Sequence, residues 1–301
     1  MLKFIIPFLF VFLSANIAAQ ITSDYIKYYN LCNEGDRQMY LKNYKAAFQN
    51  YDSAFCFVHY QHCEKLKQAA KAAAIIGNSK KATEFLRKSI LNGTKPSVFN
   101  DVSFKKISTE KRFQELKDSA AILFEFHKKR INQQYSREID SLHYIDQNII
   151  RDNKKVNGNY KISKKLIPAY KYDLDSSVFS YLLTLINKWG FPSEENIGPG
   201  GYEKVWVLFH HNVRLPQNSQ YLDLLTTALK NGEYAPSDYA WVFDQSEVFK
   251  KKKPFFYYGV ADPSSLPEIE KKEVARRRLE LGIKPIESEK VTVTGVLIRQ
   301  M

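Results

Sequence analysis

Asn43-Tyr44-Lys45-Ala46-Ala47-Phe48-Gln49-Asn50-Tyr51-Asp52-Ser53-Ala54 is followed 35 residues later by Asn78-Ser79-Lys80-Lys81-Ala82-Thr83-Glu84-Phe85-Leu86-Arg87-Lys88-Ser89. Small residues recur at Ala47 and Ala82 and again at Ala54 and Ser89, with a larger one, Tyr51 or Leu86, between them. Upstream, Gly35 and Ala70 keep the same offset. A small side chain lets two helices approach closely, and a large neighbour fills the groove beside it. Each copy therefore predicts an antiparallel helical hairpin reversed at its asparagine. Two hairpins bury little alone and need a cover. Asp101-Val102-Ser103-Phe104-x-x-Ile107-x-x-Glu110-x-x-Phe113-x-x-Leu116 is suited to that, because its spacing of three fits an irregular turn entering a helix.

Over residues 24–93 this pattern resembles the tetratricopeptide repeat, whose period is near 34. The resemblance implies a concave binding face. Tyr28, Gln38, Tyr44 and Lys45 are its candidate contacts, and a protein or peptide is the implied partner.

From Thr109 to about Lys155 the chain reads as helical, with Ile131, Tyr135, Ile139, Leu142, Ile145 and Ile149 forming one apolar stripe. A polar loop from Asn153 to Lys165, with Asn157-Gly158-Asn159 inside it, is the best hinge. Further helices are expected from near Asp175 to Trp189, from about Tyr202 to His211, from Ser219 to Lys230, from Pro236 to Phe249 and from Pro267 to Leu281. Phe255-Phe256-Tyr257-Tyr258 and Val291-Thr292-Val293-Thr294 are strand-like.

Several landmarks here share an order and spacing. They are Asp146-Gln147-x-x-x-Arg151, Gly190-Phe191-Pro192 with Gly198, His211, Tyr239-Ala240-x-x-x-Asp244, Tyr258-Gly259, Arg278-x-x-x-Gly282-Ile283 and Pro285-Ile286. Together, over roughly residues 125–290, they resemble a bacterial domain family of unknown function. The resemblance implies a helical fold and its boundaries but no reaction. The chain departs from the family at polar positions: Gln245 follows Asp244 where arginine is usual, and His210, Phe256, Val260 and Ala275 replace polar or acidic residues.

The start of the chain has the layout of a cleavable secretory signal. Lys3 is basic, Phe4 to Leu13 is apolar, and Ser14-Ala15-Asn16-Ile17-Ala18-Ala19 precedes Gln20. The apolar run is short for a membrane span, so export to the periplasm or the extracellular space is expected. No transmembrane segment is expected after cleavage. The net charge of +13 is uneven: Lys+Arg against Asp+Glu stand 17 to 9 in residues 21–117 but 17 to 17 in residues 171–301. Such a basic surface suits an anionic envelope component, or is a solvated helix face. Nucleic acid is not expected, since no basic–aromatic stacking motif is present. The run Lys250-Lys251-Lys252-Lys253 reads as an exposed loop.

Three cysteines, Cys32, Cys56 and Cys63, fall at one end of the expected hairpins, which leaves a disulfide between two of them open. Cys56-x-x-His59-x-x-x-Cys63 suggests zinc, but on one helix its ends would stand too far apart for one ion. No metal or cofactor is implied. Phosphate-loop, nucleophile-elbow and metalloprotease motifs are all missing.

The reading is thus a mainly α protein in four parts: a signal at 1–19, hairpin repeats with their cap at 20–117, a helical domain at 118–290 and a C-terminal strand or tail at 291–301. A minor β-hairpin accompanies the helices. Binding is the leading expectation for function. The alternative is an enzyme whose pocket gathers Asp146, Arg151, His211, Asp244 and Tyr258, with His211 as general base. Against it, Asp146 and Arg151 can serve a structural network, and a histidine closing a helix can serve its C-terminal dipole.

Overall fold

Gly35 shows how the first hairpin closes. It lies on α1 (residues 24–40), and a Cβ built on it would come within 2.7 Å of Tyr51 Cε1 on α2 (Tyr44–Ala54). Tyr51 is fully buried, and its hydroxyl donates to Asp36 Oδ1 at 2.7 Å. The large side chain fills the space that glycine leaves. The second hairpin, α3 (Cys63–Ile75) and α4 (Ser79–Leu91), uses alanine instead: Ala69, Ala70, Ala72, Ala73, Ala74 and Ala82 are all sealed from solvent. Near the end of α4, Ser89 Oγ donates to the carbonyl of Cys63 at the start of α3, 2.8 Å away, so this pair is antiparallel too.

This computed structural model describes residues 24–155, 173–212, 218–251, 257–259 and 267–284. The expected signal at 1–19, the hinge at Asn157-Gly158-Asn159 and the strand at Val291–Thr294 lie outside them.

Two short 3₁₀ turns, Pro96–Asn100 and Val102–Ile107, lead from the hairpins into α5 (Lys111–Arg130). Phe104, Ile107, Phe113 and Leu116 are buried there and close the first core, as the spacing of three predicts. Ala120 and Leu123 belong to the same core. The buried face of α5 therefore packs with the hairpins, and the helix stops at Ile131-Asn132. Ile131 is extended (φ −70°, ψ 155°), and Asn132 Oδ1 accepts from Tyr135 N at 3.0 Å to start α6 (Gln133–Lys155). The helical stretch expected over residues 109–155 is thus two helices with one break.

The second core gathers α6, α7 (Asp173–Trp189), the short α8 (Glu194–Ile197), α9 (Pro199–Asn212), α10 (Asn218–Lys230) and α11 (Pro236–Lys251). Of the predicted stripe, Tyr135, Ile139 and Leu142 are buried, while Ile145 is 40% exposed. Eight aromatic rings pack among aliphatic side chains in this core, and α12 (Glu268–Leu281) follows. The described residues contain no strand. Tyr257 and Tyr258, expected to extend, form a bend, because the Asp244 carboxylate takes the Tyr258 N–H at 3.0 and 3.2 Å. Among the described residues no helix is long and apolar enough to cross a membrane.

Candidate functional site

The two cores meet along a seam built from helix ends. α3 begins at Cys63, and His62 in the N-cap position makes no side-chain cap. The first amides of a helix need acceptors. Glu194, from α8 in the other core, supplies one: its Oε1 accepts from Cys63 N at 2.8 Å. A carboxylate there also meets the positive end of the helix dipole. In the other direction, Asn33 Nδ2 on α1 donates to Gly282 O at 2.9 Å and Asn30 Nδ2 to Leu279 O at 3.2 Å, covering the last carbonyls of α12. Each part finishes a helix of the other.

Glu194 is 7% exposed and accepts from Tyr60 Oη at 3.1 Å, while its Oε2 lies 3.0 Å from His62 Nδ1. His62 Nε2 lies 2.8 Å from Tyr29 Oη, giving an unbroken chain Tyr29–His62–Glu194 across the seam. Burial works to raise the Glu194 pKa, but His62, Cys63 N–H and Tyr60 outweigh it and hold the carboxyl below its ordinary value. A second acid behaves oppositely. Asp238, at the start of α11, accepts from Tyr202 Oη at 3.0 Å, and burial pushes its pKa up to about 6. Lys65 and Lys284 both reach Asp36 Oδ2, at 2.6 and 3.0 Å. Burial works to raise Asp36, and the two lysines overcome it. Between these groups lies a cavity of about 300 Å³ walled by both cores, with Tyr29, His62, Lys65, Glu194, Tyr202 and Lys284 on its lining.

The expected enzyme residues meet in two pairs. Asp146 on α6 and His211 on α9 lie Oδ2 to Nδ1 at 2.7 Å, with Gln147 Nε2 donating to the same oxygen at 3.0 Å. Asp244 anchors the Tyr258 backbone, and Arg278 donates to the Tyr258 carbonyl at 2.9 Å. The side chain of Arg151 lies outside the described ones.

No protein-family model, curated protein or solved structure matches the chain.

The expected binding face is also redrawn. Tyr28 is fully buried: its hydroxyl accepts from His62 N at 3.2 Å, and its ring packs on Tyr29 with centroids 5.1 Å apart. Much of the α1 face that would line a groove is covered by the chain's own α10–α11 turn and by the end of α12. A Cβ on Gly232 would come within 2.0 Å of the Tyr25 ring, and one on Gly282 within 3.0 Å of Tyr29. Gln38 is partly buried between Glu34 and Asn43. Tyr44 and Lys45 remain accessible, beside an open groove at the α1–α2 turn.

All three cysteines are free in this structure. Cys32 sits beside Tyr28 and is pushed up to about 12 by burial, Cys63 is taken up by the seam, and Cys56 is exposed. Among the described residues no metal-binding group of side chains occurs.

Sequence reasoning missed Glu194, Tyr29, Asp36, Lys65, Tyr202 and Asp238. Ser193-Glu194 reads as an ordinary helix start, and Ser193 Oγ does accept from Asn196 N at 3.2 Å. Nothing local signals that the next side chain caps a helix 131 residues away. His62 was visible only as part of a metal-like spacing.

Proposed function

We propose that this is an exported binding protein whose ligand is held at the seam between the helical hairpins and the C-terminal domain. One observation carries the reading: the cavity of about 300 Å³ takes its polar walls from both cores, where helix ends interlock. Ligand sites favour such junctions, where concave space and convergent polar groups coincide. The tetratricopeptide-like pattern supports holding a partner, and the covering of α1 moves that role from the open face to the junction. The hydrogen-bonded chain Tyr29–His62–Glu194 would then fix the walls rather than react.

The test is native mass spectrometry of the chain after equilibration with an envelope extract. A small bound species is expected on the parent protein and not on Ser237→Trp, which places an indole at the exposed rim of the cavity. A species retained equally by both proteins, or none on either, overturns the reading.

The enzyme reading keeps one favourable observation, the 2.7 Å contact of His211 with Asp146. A carboxylate there orients imidazole as it does in acid–base dyads. If the pair is catalytic, His211→Asn abolishes complementation of a deletion host while leaving thermal stability intact. If it is structural, stability falls with function.

A further inference from the structure

In the seam cavity two ammonium groups share one carboxylate. Asp36 Oδ2 receives Lys65 Nζ at 2.6 Å and Lys284 Nζ at 3.0 Å, while its Oδ1 is taken by Tyr51. One carboxylate thus serves two ammonium groups, and both lysines line the cavity. An ammonium has three hydrogens, so each lysine keeps donors beyond the one spent on Asp36. The other acids nearby are engaged. Glu194 is held by Tyr60, His62 and the Cys63 N–H, and Glu64, more than half exposed, turns to Lys67. Elsewhere the cavity is walled by Tyr29, Tyr202, Ala235, Pro236 and Ile283. Tyr29 and Pro236 also bound a neighbouring cavity of about 250 Å³, where Ile26, Leu229, Tyr239 and Leu281 present apolar surface.

The geometry points to a binding site for a small amphipathic monocarboxylate, its carboxylate received by Lys65 and Lys284 and its apolar body laid against Tyr29 and Pro236. This rests on the seam reading above. A cation would meet two ammonium groups, and a dianion would bring a second negative charge toward Glu194 with nothing to balance it. A single carboxylate can take the remaining donors of both lysines in charge-assisted hydrogen bonds. The same chemistry is offered by a free organic acid and by the last residue of a peptide.

Calorimetric titration of the chain with N-acetyl-L-phenylalanine, its primary amide and 3-phenylpropionate tests this. The acid is expected to bind saturably, at least about ten-fold more tightly than the amide. Lys284→Met, at a residue whose side chain is 33% exposed, is expected to lose about ten-fold in affinity for the acid while staying folded at the titration temperature, with Lys65 still paired to Asp36, and Lys284→Arg to restore the affinity. Equal affinity for 3-phenylpropionate identifies a free acid as sufficient, and a preference for the N-acetyl acid identifies a peptide terminus. The inference is overturned if acid and amide bind alike, if Lys284→Met leaves the acid's affinity unchanged, or if no probe binds at concentrations up to about 10 mM. Ser237→Trp separates the two levels of argument. If acid and amide bind alike and both are lost in that variant, the seam site stands and its charge preference fails. If binding survives the variant, the seam site itself fails.

Discussion

The hairpins and the C-terminal domain exclude water by opposite means. The first core is rich in alanine, with Gly35 admitting Tyr51 at close range. The second is assembled around rings: Phe191 stacks on Phe209 at 6.0 Å, Phe179 meets Tyr221 edge-on at 5.2 Å, and Tyr234 meets Phe191 at 5.6 Å. A core of small side chains fails by addition, and a core of rings fails by subtraction. The sharpest way to expose the difference is Phe209→Ala, which leaves a ring-sized void where Phe179, Phe191 and Tyr221 met. A loss of about 3–5 kcal/mol is expected in chemical denaturation. A loss below about 1 kcal/mol would mean that the rings slide to fill the space and that this core is not close-packed.

The seam joins the two regimes, and Glu194→Ala tests whether it couples them. The substitution leaves the Cys63 N–H and Tyr60 hydroxyl without their acceptor, so a loss of about 2–3 kcal/mol is expected. If the cores cooperate through the seam, both are weakened together. Hydrogen exchange resolved by segment would then show α3 and α9 opening at one common free energy. Unequal opening would break the picture of a joined molecule.

How much of this could be read from the chain follows from the range of each interaction. The hairpins were legible because their packing rule repeats locally: a small residue at 35, 47, 70 or 82 decides what its near neighbours can be. The cap and most of the helix limits in the second half were legible for the same reason. The place of the α5–α6 break is marked only by Asn132, one cap residue without glycine or proline beside it. The burial of Tyr28 was hidden because a tyrosine near the end of a repeat helix looks the same whether solvent or another domain covers it. The seam was illegible outright. Glu194, Asn30 and Asn33 each complete a helix far away in sequence, and no local pattern marks a side chain that works at such distance. Of the predicted site, Asp146 meets His211 and Asp244 meets the Tyr258 backbone.

A smaller effect tests whether the repeat copies follow one rule. Gly35→Ala should improve helix propensity by about 1 kcal/mol, so any net loss reports the clash with Tyr51. A net loss of about 1–2 kcal/mol is expected. Adding Tyr51→Leu reproduces the Ala70/Leu86 combination of the second copy and should recover part of it, although the Tyr51–Asp36 hydrogen bond is then lost. A double variant less stable than the sum of its single changes would show that the copies close by different rules.

The smallest effect concerns the acid on the ring-filled side of the seam. Asp238 ordinarily titrates at 3.8, and burial moves it to about 6 in the folded chain. Below the lower value both folded and unfolded chains hold the proton, and the group costs nothing. As pH rises through the window, the unfolded chain releases its proton while the folded chain retains it, so stability falls and stays lower above about pH 6. Glu194 has the opposite sign. It is held below its ordinary 4.5, so its contribution is present above that value and lost on acidification. Asp238→Asn keeps the shape and removes the titration. It should match the parent near about pH 4 and exceed it by about 1 kcal/mol near about pH 8, part of the full shift being screened because the residue keeps some solvent contact. Thermal melts across that range decide it. A variant whose advantage is the same at both ends would mean that the Asp238 carboxyl is ordinarily charged in the folded chain, and that the Tyr202 hydroxyl, 3.0 Å away, suffices to hold the charge.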